Sequence, residues 1–236
     1  MSSKPEIADA LTIAEIDRDG ALLEAVANLY GSSRADFLRG AAFASAAVAL
    51  GLALPSEASA SPKQDVGILQ FDLAFEYLQS TFYTQAVRDR TVARMKPEKQ
   101  RWAHVLGTHE LAHVAILKDV LGKNATKKPF FNFHGVTESE EAFTKTAVAM
   151  EDLTVALLAG QAPRFSNPAL TSAVFSLLTT EARHAAWARR LSGARPVAAA
   201  FDEPKTLKQV SRVVQSTRFI AARPQTGRRG KPRYTG

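Results

Sequence analysis

The sequence predicts an all-α protein, an antiparallel four-helix bundle followed by a short fifth helix. Three observations carry this. Beyond Pro62 the chain consists of long stretches whose apolar residues recur at helical spacing, without the alternation of a strand. Proline, glycine and capping residues divide these stretches into four segments of similar length. Each apolar stripe is also broken near its middle by a glutamate, and on two of the four helices a histidine follows three residues later.

The first helix is expected from about Gln64 to Arg94, with Leu69, Leu73, Glu76, Ser80, Tyr83 and Val87 on one stripe. Pro97 suits the first turn of the second, because proline there lacks only a donor that would be unpaired anyway. That helix runs to Leu121, where Gly122 stops it, and its stripe is Ala103, Leu106, Glu110, His113, Leu117 and Val120. A loop from Lys123 to Val136 follows. Thr137 with Glu140 reads as a capping box for the third helix, whose stripe is Thr144, Val148, Glu151, Val155 and Leu158 and whose end is marked by Gly160 and Pro163. Asn167 and Pro168 open the fourth, with Val174, Leu178, Glu181, Ala185, Ala188 and Leu191 in line, His184 beside them, and Ser192-Gly193 at the close. Short to moderate connections between helices of this length give an antiparallel bundle. A last amphipathic segment, Thr206 to Ile220, is expected to pack across the bundle or its end.

The chain before the bundle reads differently. Gly40 to Pro55 is an apolar, uncharged, alanine-rich run of 16 residues, short for a membrane span. Arg34 and Arg39 precede it and Ala58-Ser59-Ala60 follows, the order of a signal peptide with a small-x-small cleavage site. The stretch from Ser33 to Arg39 resembles the twin-arginine export motif, with Ala35 in place of the second arginine. The other reading is a buried alanine-rich helix. Residues 8–30 carry a weak amphipathic pattern for which the sequence offers no role. The expected organisation is a leader and export signal over 1–60, the bundle over 61–193, and a C-terminal segment over 194–236 with a short helix and a basic tail.

Composition narrows the chemistry. The chain has 236 residues, 46% of them hydrophobic, enough for one good core. It has no cysteine, so disulfides, thiolate metal sites and cysteine nucleophiles are excluded, and any metal must be held by carboxylate and imidazole. Much of the net charge of +7 falls late in the chain, at Arg212, Arg218, Arg223, Arg228, Arg229, Lys231 and Arg233. Such a tail suits weak contact with an anionic surface, or simply a solvated, disordered end; nothing points to a specific nucleic-acid partner.

The chemistry lies where the stripes are interrupted: Glu76, Glu110 with His113, Glu151, and Glu181 with His184. Residues three apart on a helix are offset by about 60° and ~4.5 Å along the axis, so one Glu and one His reach a common ion. With 13 Glu and 5 His in the chain, chance supplies about 0.3 such pairs. Two pairs, each centred on a buried stripe, are therefore specific. Glu76 and Glu110 stand 34 residues apart and Glu151 and Glu181 stand 30 apart, as in two copies of one helical hairpin. Four ionised carboxylates in an apolar core would each cost several kcal/mol unpaired, on the order of what buried charges demand. Two divalent cations balance them, and oxygen and imidazole donors favour Fe, Mn or Zn. Carboxylate bundles that hold two iron or two manganese ions use this arrangement. Tyr83, two turns from Glu76, is a candidate to hydrogen-bond a ligand or carry an electron. His109 is expected beside the site or at the surface, His104 facing solvent and His134 in the loop. Trp102 and Trp187 read as packing residues, and Asp152 as pointing away from the site.

The stretches DVGILQFDLAFEYLQSTFYTQA, HELAHVAILKDVLG, MEDLTVALLAG and TEARHAAWARRLSG resemble the exported ferritin-like domain family, which includes the desiccation-related proteins. The resemblance covers about Asp65 to Ile220. It implies a metal-binding bundle in which Glu76, Glu110, His113, Glu151, Glu181 and His184 are the ligands, without fixing a reaction. Three functions follow as expectations. One is a di-iron protein that oxidises Fe(II) with oxygen or peroxide outside the cytoplasm. Another is a dimanganese enzyme that disproportionates peroxide. The third is a stress-protective bundle whose metal is structural. A homo-oligomer is compatible with all three.

Overall fold

The structure, a computed structural model, describes residues 61–222, 225–226 and 232–234. The leader, the apolar run and the twin-arginine-like stretch lie outside the described residues. The described residues form five α-helices: α1 (Pro62–Arg88), α2 (Pro97–Leu121), α3 (Glu140–Gln161), α4 (Pro168–Ser192) and α5 (Leu207–Thr217). Among the described residues no helix is long and apolar enough to cross a membrane.

The first four helices form two hairpins, α1 with α2 and α3 with α4, packed with α1 against α3 and α2 against α4. Both ends are held by side-chain hydrogen bonds. At one end the buried Asp65 carboxylate accepts from the Ser166 amide (2.8 Å), the Ser166 hydroxyl (2.6 Å) and the Asn167 amide (3.2 Å), joining the start of α1 to the start of α4. At the other end the Thr137 hydroxyl donates to Asp89 at 3.0 Å and accepts from Gln85 Nε2 at 3.1 Å. An aromatic cluster of Phe82, Tyr83, Trp102, Phe131, Phe133 and Phe143, all fully buried, fills the bundle toward this second end.

Several expectations shift. The first helix stops at Arg88 rather than Arg94, because Arg90 takes a left-handed conformation (φ 61°) and the Thr91 amide turns back to the Ala86 carbonyl. Without glycine at that position, the stop carried no sequence signal. Val87, expected on the stripe, is exposed. Thr137 does not cap the third helix: it lies in a single 3₁₀ turn, and Ser139 is the N-cap, its hydroxyl accepting from the Ala142 amide. The fifth helix ends at Thr217, and Thr206 and Gln209 form its capping box.

Short strands appear where none was expected. In the loop after α2, β1 (Phe130–Phe131) pairs antiparallel with β2 (Ile220–Ala221), which clips that loop to the exit of α5. A second antiparallel pair, β3 (Gln225–Thr226) with β4 (Pro232–Tyr234), lies in the stretch read as a solvated basic tail.

Between α4 and α5, residues 194–206 cross α3 as a strap. The Lys205 amide donates to the Ala156 carbonyl at 2.8 Å, and Gln161 Nε2 donates to the Lys205 carbonyl at 3.0 Å. The strap can lie this close only because residue 160 is glycine: a Cβ there would stand 2.1 Å from the Lys205 carbonyl oxygen. Backbone cannot yield as a side-chain tip can. Gly160→Ala is therefore expected to cost about 2–3 kcal/mol and to detach the strap with α5. Thermal melts and faster hydrogen exchange at Lys205 check this; unchanged values at both would refute the contact.

Candidate metal centre

The sequence places one or two metal-ligating side chains in the middle of each long helix, and the fold brings them together. Glu76, Glu110, Glu151 and Glu181 are each 0% exposed, and the side chains of His184 and His113 are 4% and 12% exposed. Two groups form, each with ligand atoms within 4.8 Å of one another. Glu76, Glu110, His113 and Glu181 make one; Glu110, Glu151, Glu181 and His184 make the other. Glu110 and Glu181 belong to both, so they lie between two positions of which Glu76 with His113, and Glu151 with His184, are the outer ends.

Both imidazoles turn Nδ1 inward. His113 Nδ1 lies 3.1 Å from Glu181, 3.2 Å from Glu110 and 3.5 Å from Glu76. His184 Nδ1 lies 3.3 Å from Glu110, 3.4 Å from Glu181 and 3.7 Å from Glu151. The outer nitrogen of His184 is held by a residue the sequence left undecided: His109 Nδ1 is 2.8 Å from His184 Nε2. With His184 donating from Nε2, its Nδ1 stays directed at the carboxylates, the orienting role that partners of metal-binding histidines generally fill. Helical phase explains why the sequence left this open, since His109 is adjacent to Glu110 and off its stripe.

Tyr83 does reach the cluster. Its hydroxyl donates to Glu151 Oε1 at 2.5 Å. It is seated there by Gly107, where a Cβ would come within 3.1 Å of Tyr83 Cβ. Burial and the neighbouring Glu151 charge push the phenol well above its usual pKa, so it remains a donor. Gln79 and Thr154, each three residues beyond a cluster glutamate, meet across the bundle, with Thr154 Oγ1 donating to Gln79 Oε1 at 2.7 Å.

The sequence reading also missed Asp72. One turn before Glu76, it is 2% exposed, and neither carboxylate oxygen has a hydrogen-bond partner among the described residues. Burial, reinforced by Glu181 and Glu110, pushes it up to about 7 against a smaller opposing pull from His113.

The electrostatics divide the cluster. Burial and the Glu110 charge push Glu76 well above the ordinary carboxylate range and Glu151 up to about 8. Burial would raise Glu110 and Glu181 too, but the two imidazoles against them win and hold both low. Burial disfavours charge on His113 and His184, yet the carboxylates around them outweigh it and raise both. In the protein alone, then, these directions favour protons on the two imidazoles and on the outer carboxyls, against ionised Glu110 and Glu181. Even so, among the described residues both oxygens of Glu76 and of Glu181, one each of Glu110 and Glu151, and His184 Nδ1 are fully buried without a partner in hydrogen-bonding geometry. Native cores satisfy nearly all such atoms. Unpartnered oxygens and an imidazole nitrogen converging on two points fit divalent cations of the Fe, Mn or Zn type.

Other predicted residues fall outside. His104 is exposed. His134 lies in the loop, its Nε2 donating to the Arg218 carbonyl at 3.1 Å. Asp152 turns away to pair with Arg189 at 2.7 Å. Trp102 is fully buried, and Trp187 packs against the core.

No functionally curated protein matches the sequence. The family described as the ferritin-like domain matches residues 64–194, a span that runs from the first turn of α1 to just past the end of α4 and includes every residue of the cluster. With its helical bundle and its buried carboxylate–histidine cluster, the chain belongs to the ferritin-like domain family.

Proposed function

We propose that the protein is an exported dinuclear metalloprotein, loaded with two divalent ions, iron before manganese, that oxidises Fe(II) or consumes oxygen or peroxide in stress protection. The observation that carries this reading is the pair of overlapping ligand groups sharing Glu110 and Glu181. In it, Glu76, Glu110, His113, Glu151, Glu181 and His184 are the ligands. When bound, two redox-active ions would supply the electrons that reduce oxygen or peroxide. The chain's own residues do the rest. Glu110 and Glu181 set the spacing, and Glu76 and Glu151 close the two ends. His109 fixes the ring of His184, and the apolar core excludes water. The exposure of His113, where the four glutamates have none, marks the side from which small solutes approach. Tyr83, bonded to Glu151, is the residue proposed to take part in the reaction, moving a proton or an electron at that carboxylate.

Export rests on the apolar run and cleavage site within residues 1–60, and is tested by fractionating cells. Unpartnered buried carboxylates also suit a second reading, a bundle in which the metal is mainly structural. Elemental analysis of protein purified without chelator, followed by oxygen measurements, separates the readings. About two Fe per chain and oxygen uptake on adding Fe(II) support the first. Rapid oxygen release from peroxide by a manganese-loaded form indicates the dimanganese alternative. Inertness in both assays, with a large loss of thermal stability on metal removal, indicates the structural one. Tyr83→Phe is expected to retain both ions yet slow oxygen uptake about tenfold or more; an unchanged rate would remove Tyr83 from the reaction.

A further inference from the structure

The two halves of the cluster are not equivalent, and Asp72 is where they differ most. The hairpins repeat one pattern, so the counterpart of Asp72, four residues before Glu76, is the residue four before Glu151. That residue is Ala147, fully buried and without a polar side chain. On the α1 side the same position carries a carboxylate, also buried, with both oxygens unpartnered. A lone carboxylate in an apolar core is destabilising unless something compensates it. Its location is defined by the helix: Asp72 lies on α1 one turn from Glu76, on the same face, and Glu76 belongs to the Glu76–His113 group alone. Asp72 is not one of the four residues whose ligand atoms lie within 4.8 Å of one another. Four residues, about 6 Å along the helix axis, separate it from Glu76. It therefore stands just outside that ligand set, one turn toward the start of α1.

We propose that Asp72 is an outer carboxylate of the ion position formed by Glu76, Glu110, His113 and Glu181, and that it makes this position the tighter of the two. The inference rests on the two-ion reading. A buried carboxyl beside one position ionises as a cation arrives and its charge then holds that cation more tightly, and the position at Glu151 and His184, with Ala147 behind it, lacks that attraction. Asp72 acts here as a positioning residue; the four ligands still hold the ion.

The test is a calorimetric titration of metal-free protein with Mn(II), run on wild type, Asp72→Asn and Glu151→Gln. Asparagine keeps the volume and removes only the charge. Wild type is expected to bind two ions with distinct affinities. Asp72→Asn should weaken the tighter one about tenfold or more and leave the other within about threefold, so that the two converge or exchange order. Glu151→Gln should weaken the other position more. Electron paramagnetic resonance at one equivalent reads the same split, since loss of the preference raises the share of paired Mn(II). Asp72→Ser, which also lacks the charge, should reproduce it if the amide disturbs packing. Equal weakening of both ions would reduce Asp72 to a structural role, and wild-type affinities in the variant would overturn the proposal; either leaves the two-ion reading intact. A wild type that binds no Mn(II) would overturn both.

Discussion

Replacing Glu110 with glutamine is expected to empty both ion positions, whereas Glu151→Gln empties one. Glu110 contributes an oxygen to each of the two ligand groups. Its substitution leaves each group with one charged donor fewer. Glu151 belongs to one group alone. His184→Ala is expected to resemble Glu151→Gln, with bound metal well below two per chain. The difference should extend to stability. An ion that binds only the folded chain stabilises it by about 4 kcal/mol when present at a thousand times its dissociation constant. For a domain of this size each kcal/mol is about 2–4 °C in Tm. Two ions are therefore worth on the order of 15–30 °C, and Glu110→Gln should melt at the same temperature with and without added Mn(II). Elemental analysis and melting curves check both parts. A Glu110→Gln protein that keeps two ions per chain would show that the shared position of Glu110 has no part in binding.

The buried cluster was legible because each of its glutamates interrupts an apolar stripe, and a helix translates stripe position into direction with little ambiguity. Glu76, Glu110, Glu151 and Glu181 read as buried without any knowledge of how the helices pack. His109 and Asp72 were harder for opposite reasons. His109 is off its stripe, and only the approach of α4 to α2 brings His184 Nε2 to within 2.8 Å of it. Asp72 adjoins the stripe one turn from Glu76, but an aspartate near a helix start also suits the solvated face, and periodicity does not separate the two. The helix ends divided along similar lines. Pro97, Gly122, Asn167 with Pro168, and Gly193 marked their boundaries because each residue type has a backbone reason to be there. Arg88 did not, since the turn after it uses a left-handed arginine, Arg90. The β1–β2 pair escaped because two-residue strands have no period to read, and its partners lie about ninety residues apart.

Loading the two ions at about pH 6 is expected to release about four protons per chain. In the metal-free protein His113 and His184 are raised above their ordinary range, and so are Glu76 and Glu151, the last up to about 8. All four hold protons at pH 6. Bound to divalent cations, the imidazoles must be neutral and the carboxyls ionised, so four protons leave, with Asp72 adding part of a fifth. The same shifts fix how the metal-free protein depends on pH. A carboxyl whose folded pKa is raised contributes stability that is full below its unfolded value and lost as pH rises through the folded one. For Glu151 that loss runs from about 4.5 to about 8, for Asp72 from about 3.8 to about 7, and for the histidines it starts near 6.5. Glu110 and Glu181, held low, act the other way, and their contribution disappears only in acid below about 4.5. The metal-free protein should therefore be most stable near pH 5 and lose about 1.4 kcal/mol per pH unit for each group titrating above that. The loaded protein should instead gain stability up to about pH 6.5, where the unfolded chain's histidines still take up protons that ligated imidazoles do not, and stay level above that. Calorimetry in buffers of different ionisation enthalpy counts the protons, and melts from pH 5 to 8 with and without metal give the slopes. Release of fewer than two protons, or parallel slopes for the two forms, would mean that the imidazoles carry no protons in the metal-free cluster. The balance of two imidazoliums against two carboxylates would then be wrong.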